Sequence, residues 1–312
     1  MQNFLISLEV VLPLFIMLAI GYVVKMFHLV SDKTLRQLNN VCFRIFLPML
    51  LFVSLYNAEF DAVFNPKLMR FAFISVLCVF AATFVIVSLI VKDKRRRSVL
   101  IQAIFRSNFL IFGLPITISL WGPEAAAAPA IVGTIVVPMY NILAVIVLSV
   151  FSGSKFSLKK TLIQIITNPL LLGTLVGLLF LFSGIRLPEI IMGVADDLAS
   201  VATPLALIVL GGSFQFSKVK SNKTALFFGV LGRLVIVPAI MIPIAVLVGF
   251  RGIDLVVCLS IFTSPTAVSS FTMAQQMGAD DELAGELVVF TAFFSILTIF
   301  CFVFILKQLM LL

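Results

Sequence analysis

Charge is scarce in this chain. Asp, Glu, Lys and Arg make up 12% of its 312 residues and apolar types 62%, against about 25% and 45–50% in an ordinary soluble domain. A fold of this length in water could not hide so much apolar surface, and the mean hydropathy of +1.22 makes lipid the expected solvent. Histidine occurs once, at His28, which leaves nothing for a histidine-based catalytic zinc site. Cysteine occurs four times, at Cys42, Cys78, Cys258 and Cys301, always within an apolar run and never as CxxC. These are expected to be small hydrophobes, not disulfide partners or metal ligands. Trp occurs once and Tyr three times, against 32 Phe, a balance that suits lipid-facing helices. The net charge of +8 is therefore expected to belong to loops beside a membrane, with no nucleic-acid partner. No basic segment precedes the first apolar run, so no cleaved signal peptide is expected.

What the chain does have is long apolar runs. A helix crossing the hydrocarbon core needs about 20 residues, and ten runs qualify: 4–26, 35–56, 68–91, 98–121, 128–151, 159–183, 188–212, 223–249, 253–277 and 284–306. They are too long for barrel strands and do not alternate as such strands do. The loops after spans 1, 3, 5, 7 and 9 hold 14 of the 22 Lys and Arg residues, including the cluster Lys92, Lys94, Arg95, Arg96 and Arg97. Lys155, Lys159, Lys160, Lys218, Lys220 and Lys223 belong to the same set. The opposite loops hold five, Lys67, Arg70, Arg186, Arg251 and Lys307. The positive-inside rule then makes the first set cytoplasmic and puts both termini outside.

The two halves share a spacing. Pro13 and Gly21 lie eight residues apart in span 1, as do Pro169 and Gly177 in span 6, and Pro48 corresponds to Pro204. All of these pairs have an offset of 156 residues, as do Asn40 and Asp196. In the fourth span of each half, Arg106-Ser107-Asn108 stands opposite Ser264-Pro265-Thr266. Five spans per half is an odd number, so the second half enters the membrane inverted. Inverted repeats are typical of secondary transporters, whose sites lie at the midplane where helices break. Spans 4 and 9 both carry polar residues in mid-span. Ser264 is a good N-cap and Pro265 suits a first helical position, so span 9 is expected to restart there. In span 4, Asn108 can cap a second half-helix, and Pro115 weakens the run further. New N-termini expose N–H groups that hydrocarbon cannot satisfy and a bound anion can.

Charges within the spans admit two readings. Arg44, Arg106 and Arg233 lie about 12–17 Å from the cytoplasmic starts of spans 2, 4 and 8, at about 1.5 Å per residue. Asp196 and Asp197 lie at a comparable depth from the other side in span 7, and Glu9 is nearer the outer interface. Such groups are costly in lipid, and are functional or paired. They either form Arg–Asp pairs that lock helices, or make an anion-attracting cavity with Asp196 or Asp197 as a proton or sodium site.

These motifs together resemble the auxin efflux carrier family, in the form of a bacterial member. The resemblance covers essentially the whole chain. It rests on Asn39, Asn40 and Pro48, on Arg106-Ser107-Asn108 with Gly113-Leu114-Pro115, and on Val137-Pro138-Met139-Tyr140-Asn141. Thr203-Pro204-Leu205-Ala206-Leu207 with Gly211-Gly212, Ser264-Pro265 and Met277-Gly278 complete it. The resemblance implies an all-α integral membrane protein of ten transmembrane helices in two inverted five-helix repeats, similar to bile-acid sodium symporters, with helices 4 and 9 broken and crossing. Residues 1–156 would form one repeat and 157–312 the other. Spans 1, 2, 6 and 7 would be a scaffold that dimerises, and spans 3–5 and 8–10 a transport domain moving as an elevator in a bacterial inner membrane. Asn108 occupies the place of an Asn that helps hold a substrate carboxylate in the family; Ser107 stands where plant members have Pro. The long cytoplasmic loop of many plant members is absent. Malate, malonate or a similar acid is a better expectation than auxin, because bacterial relatives are commonly assigned such substrates.

The expected function is alternating-access transport of a small organic mono- or dicarboxylate. Asn108, Ser107, Ser264, Pro265, Thr266 and the half-helix N-termini would bind carboxylate oxygens, and Arg106 would supply positive potential. Tyr140 and Asn141 would line the wall, with Leu47 and Leu51 as its apolar side. Asp196, Asp197, Arg44 and Arg233 form the candidate charge or ion network. No cofactor is expected, and protons, sodium or membrane potential would drive any uphill transport. A channel would need a filter-like segment, which is missing. An enzyme would need a catalytic constellation, and Asp196 and Asp197, about 100° apart on a helix, make a poor dyad. A ligand sensor remains the competing class.

Overall fold

A computed structural model describes residues 2–57, 65–151, 163, 167–214 and 216–312, and the described residues are helical without a named strand. Helix α1 is Gln2–Met26. Helix α2 spans Asp32–Tyr56, with a π-helical turn at Cys42–Phe46. Then come α3 (Pro66–Ile90), α4 (Lys94–Phe105), α5 (Phe109–Trp121) and α6 (Ala127–Val150). The second half holds α7 (Pro169–Ser183) and α8 (Glu189–Ser213), followed by α9. Helix α9 runs Phe216–Leu231, through a π-helical turn at Gly232–Ile236, into Val237–Val248. The chain closes with α10 (Gly252–Thr263), α11 (Ser269–Gln276) and α12 (Asp281–Gln308).

The local signals behind these boundaries are ordinary capping chemistry. Ser31, Asn65, Asp93, Asn168 and Asp280 each accept first-turn backbone N–H bonds, at the starts of α2, α3, α4, α7 and α12. Pro66 and Pro169 occupy first-turn positions, where the missing N–H costs nothing. Gly184 and Gly249 end α7 and α9 in the left-handed region, which a Cβ would disfavour. Among the described residues, six helices are long and apolar enough to cross a membrane: Asp32–Tyr56, Pro66–Ile90, Ala127–Val150, Glu189–Ser213, Asn222–Val248 and Asp281–Gln308. Leu12–Met26, Phe109–Trp121, Pro169–Ser183 and Gly252–Thr263 are shorter apolar helices. The protein is therefore an all-helical, multi-pass membrane protein. Its exposed surface carries large apolar side chains such as Leu89, Leu179, Ile190 and Leu247, as a lipid-facing exterior requires. Lys155, Lys159 and Lys160 lie outside the described residues, as do the side chains of Glu9, Lys218 and Lys220.

Two helix pairs pack backbone to backbone: α1 against α8, and the second half of α2 against α7. A Cβ placed on Gly21 of α1 would fall 2.0 Å from the Ile208 carbonyl oxygen of α8. A Cβ placed on Gly177 of α7 would fall 3.0 Å from the Phe52 carbonyl oxygen of α2. Gly177 and Ile208 follow Gly21 and Phe52 by the same 156 residues, so the two seams use equivalent positions. Small residues at such seams let helices approach where lipid supplies no hydrophobic drive. Gly21→Val is expected to separate α1 from α8 and lower the midpoint of thermal unfolding in detergent. Val at the exposed Gly193, which has open space around it, should leave the midpoint unchanged.

Candidate functional site

Helices α4 and α5 are separated by a break at Arg106–Asn108, and α10 and α11 by one at Ser264–Val268. The breaks meet. Ser107 and Thr266 form an isolated antiparallel bridge, and the Asn108 N–H donates to the Pro265 carbonyl at 2.8 Å. Each interruption therefore satisfies part of the other's backbone, which buried irregular chain must do. Thr266 anchors the bridge on both sides. Its N–H donates to Thr291 Oγ1 at 3.1 Å, and its Oγ1 donates to the Ala103 carbonyl at 2.9 Å.

The carbonyl ends of both first half-helices converge on one cation. Arg233 is 0% exposed. It donates from Nε to the Ser264 carbonyl (2.8 Å), from one terminal nitrogen to that of Ile104 (3.1 Å) and from the other to that of Ile261 (2.7 Å). Ile104 is in the last turn of α4, and Ile261 and Ser264 close α10. Each such end carries about half a negative charge, so one guanidinium offsets two helix termini. The π-helical turn at Gly232–Ile236 contains Arg233, and π-turns of this kind recur at functional positions.

The N-terminal ends of the second half-helices border a cavity of about 140 Å³. Its wall contains Arg106, Ser107, Asn108 and Phe109 from the span 4 break, Ala267 and Ser269 from the span 9 break, and Tyr140 and Asn141 from α6. Leu47, Leu50, Leu51 and Ser54 of α2 close the apolar side, with Leu170 and Thr203. Arg106 is the single charged residue of this lining. It is 4% exposed and bonds Asn141 Oδ1 at 2.7 Å, Ser269 Oγ at 2.8 Å and Met273 Sδ at 2.8 Å. All three acceptors are neutral. Asn141, 1% exposed, has no acceptor for its Nδ2 among the described residues. The same holds for the first-turn N–H groups of Phe109, Leu110 and Ile111, three residues that line the cavity. Asn108 holds the N-cap position of α5, but its side chain makes no capping bond. One uncompensated cation and several unused donors thus face one small space.

The residues expected from sequence divide into three groups. Arg106, Ser107, Asn108, Tyr140, Asn141, Leu47 and Leu51 are brought together around the cavity. Ser264, Pro265 and Thr266 are not in its wall; they build the crossing beneath it. The second half-helix of span 9 starts at Ser269, not at Pro265, because residues 264–268 are needed in open conformation for the bridge. Ser264 accordingly bonds back to the Ser260 carbonyl at 2.5 Å instead of capping α11. The third group does not come together. Asp196 and Asp197 are exposed, because α8 turns the stripe Ala195, Ala199, Ala202 and Ala206 inward at helical spacing. Arg44 is exposed and bonds Asn40 Oδ1 one turn back, at 2.9 Å. No Arg–Asp pair reaches Arg106 or Arg233 among the described residues. Sequence reasoning missed Ser269, Ala267 and Met273; the only signal for them was their place four to eight residues after Pro265 or nearby, within the polar run of span 9.

Comparison with known proteins places the chain in a family. The membrane transport protein family matches residues 6–303. The chain belongs to that family, the auxin efflux carrier family. It is similar to an uncharacterized transporter of Methanothermobacter thermautotrophicus, 25% identical over 308 residues, covering 95% of this chain and 97% of that protein. It is also similar to an uncharacterized transporter of Methanocaldococcus jannaschii, 24% identical over 309 residues, with coverage of 95% and 97%. The protein is thus a membrane transporter of this family, and the crossing lies within the matched region.

Removing the cation under the crossing tests its structural part. Arg233→Met leaves three buried carbonyls without a charged donor, at about 1.5–3 kcal/mol for each such bond. A marked fall in the detergent unfolding midpoint is expected, with Arg233→Lys recovering only part, since an ammonium lacks the planar fork that reaches all three.

Proposed function

We propose that the chain carries small organic anions across the membrane by alternating access, with the crossing as its binding site. The reading takes ten spans in two inverted repeats, residues 1–156 and 157–312. The long apolar helices and the shorter ones supply the spans, with α4–α5 and α10–α11 as the broken ones. The equivalent Gly21–Ile208 and Gly177–Phe52 seams support the repeat. In this arrangement α1, α2, α7 and α8 are the scaffold and the remaining helices move past it. The basic loops lie in the cytoplasm of a bacterial cell and both termini lie outside. A homodimer through the scaffold is part of the same reading.

The observation that carries the substrate class is Arg106. It stands in a closed wall without a carboxylate, beside the unused Nδ2 of Asn141 and the free N–H groups opening α5. A buried cation held only by neutral acceptors keeps an electrostatic demand that a carboxylate ligand meets with charge-assisted bonds. Asn108 adds an uncommitted amide at the helix N-terminus, where the partial positive charge favours the same ligand. Size narrows the class. Pockets for drug-sized ligands run to about 300–1,000 Å³, and 140 Å³ suits a short mono- or dicarboxylate such as malonate or malate. Leu47, Leu50, Leu51 and Leu170 give its carbon chain an apolar side.

Uptake of labelled malonate, malate and indole-acetate into proteoliposomes tests the proposal. Saturable flux of a short carboxylate is expected from the wild type. In Arg106→Met it should fall by roughly 10–100-fold, the worth of a bond to a charged group at about 1.5–3 kcal/mol. Asn108→Ala should raise the half-saturating concentration. Wild-type flux in Arg106→Met would sink the assignment of the site.

A further inference from the structure

A second polar cavity, away from the crossing, has no part in the binding site just described. It has a volume of about 30 Å³ and lies between the last turn of α8, with Leu210, Ser213 and Phe214, and the start of α12. Phe271 of α11 closes it, and Asp281, Glu282 and Glu286 line it. This is room for about one water molecule, with three carboxyl groups and no Lys or Arg among the described lining residues. Among the described residues no group of three or more acidic, Cys or His side chains is placed to hold a metal ion.

Glu286 is the unusual member. It is 2% exposed, yet its Oε2 has no hydrogen-bond partner. Its Oε1 accepts one bond, from Asn222 Nδ2 of α9 at 3.1 Å. Asn222 is oriented in turn by Arg96 of α4, which donates to its Oδ1 at 2.8 Å and to Asp280 Oδ2 at 3.2 Å. Among the described residues the charged groups near Glu286 are Asp280, Asp281 and Glu282 beside it, and Arg96 acting through Asn222 from across the α4–α9 packing. Helices α8 and α11 contribute Ser213, Leu210 and Phe271, and no charge. As an anion, Glu286 is a buried carboxylate with one bare oxygen among like charges. As an acid, its Oε2 carries a proton and becomes a donor at the cavity, whose α8 wall includes Ser213. The acid form uses the atom that the anion leaves bare.

We infer that Glu286 is a proton-binding site, and that its loading sets whether α8 and α12 can slide past one another. The first part stands on the cavity alone. The second rests on the proposed carrier reading, in which α8 belongs to the scaffold and α11 and α12 to the moving part. The same seam is tied by a second polar chain: Asn39 Nδ2 of α2 donates to Gln275 Oε1 at 2.8 Å, and Gln275 Nε2 donates to Asp281 Oδ2 at 2.9 Å. Gly285 packs so closely on α8 that a Cβ there would lie 2.8 Å from Leu210 Cδ1. An ionised Glu286 keeps its hold on Asn222 and repels Asp281 and Glu282 of its own helix at the cavity that borders the end of α8. Protonation removes the repulsion and places a donor at the seam. No bond other than O–H is made, and the proton comes from water on the side where α12 begins.

Infrared difference spectroscopy of the protein in lipid nanodiscs, titrated in pH, tests the site directly through the carbonyl stretch of protonated carboxyl groups. Every Asp and Glu gives such a band on protonation, so the site is read from the component that Glu286→Gln removes, which is expected to grow in at a higher pH than the bands of the exposed carboxyl groups and to be retained in Asp281→Asn. Asn222→Leu removes the one donor to the ionised form, so it should move the midpoint of that component to higher pH. This second variant reads the same group if Glu286→Gln does not fold. A pH-difference spectrum unchanged in Glu286→Gln, or a midpoint of that component unmoved in Asn222→Leu, overturns the site. Proteoliposomes with malonate test the coupling. Glu286→Gln should keep exchange of labelled for unlabelled malonate and lose accumulation driven by an imposed pH gradient, where one pH unit is worth up to about tenfold per proton carried. Full gradient-driven accumulation in Glu286→Gln overturns the coupling. If the wild type carries no malonate, the substrate assignment falls, and the infrared band still decides Glu286.

Discussion

The structure depends on the mutual closure of two broken helices. A helix interrupted in lipid leaves up to four N–H and four C=O groups bare at the break, each at a cost of several kcal/mol in hydrocarbon. Two interruptions placed against each other solve most of this at once. The Ser107–Thr266 bridge, the bond from Asn108 to Pro265 and the reach of Thr266 to Ala103 let each break serve as the other's partner. The remaining groups separate by sign. Carbonyl ends gather at Arg233, and N–H ends gather at the cavity beside Arg106. A cation held by carbonyls and a cation in the cavity wall therefore follow from one geometry, because the helix dipole gives every break two unlike ends.

That separation explains why two arginines at similar depth do different things. Arg233 gives three of its N–H donors to carbonyls and, 0% exposed, has no face open to a ligand. Arg106 bonds a side-chain amide, a hydroxyl and a thioether, groups that neither neutralise it nor compete well with a carboxylate. Around it the wall is otherwise apolar or neutral, so its field is poorly screened.

Much of the fold was legible before any coordinates. The apolar runs at 35–56, 68–91, 128–151, 188–212, 223–249 and 284–306 anticipated the six long apolar helices to within about three residues, since length and hydropathy are what lipid selects for. The 156-residue offset of Pro13, Gly21 and Pro48 with Pro169, Gly177 and Pro204 reappears in the paired helix seams. The site was legible where chemistry and depth sufficed, as for Arg106, Asn108, Tyr140 and Asn141. It was not legible where the face of a helix decides. Depth along a span says how far Asp197 lies from the interface. Only packing, here the inward alanine stripe of α8, says which way it points. The partners of Arg233 were hidden for a related reason: backbone carbonyls carry no sequence signal. Ser264-Pro265 read correctly as a break and wrongly as a helix start, because local capping preference cannot register a bridge to a strand-like residue 159 positions earlier.

The separation of the two cavities constrains how coupling can work in the proposed carrier. A proton that bound in the anion site would act by neutralising the substrate or Arg106, and substrate and proton would then compete for the same few atoms. Glu286 lies instead against the end of α8, among residues that share nothing with the lining around Arg106. Its charge state can reach the anion only through the relative position of whole helices. Phe271, on the same half-helix as Ser269, lines the proton cavity, while Ser269 holds Arg106 at 2.8 Å in the other. The first turn of α11 thus carries Ser269 into one cavity and Phe271 into the other. A shift of that turn at the α8 seam must also move a ligand of Arg106, so the coupling demanded of a proton-driven carrier needs no longer path than one short helix.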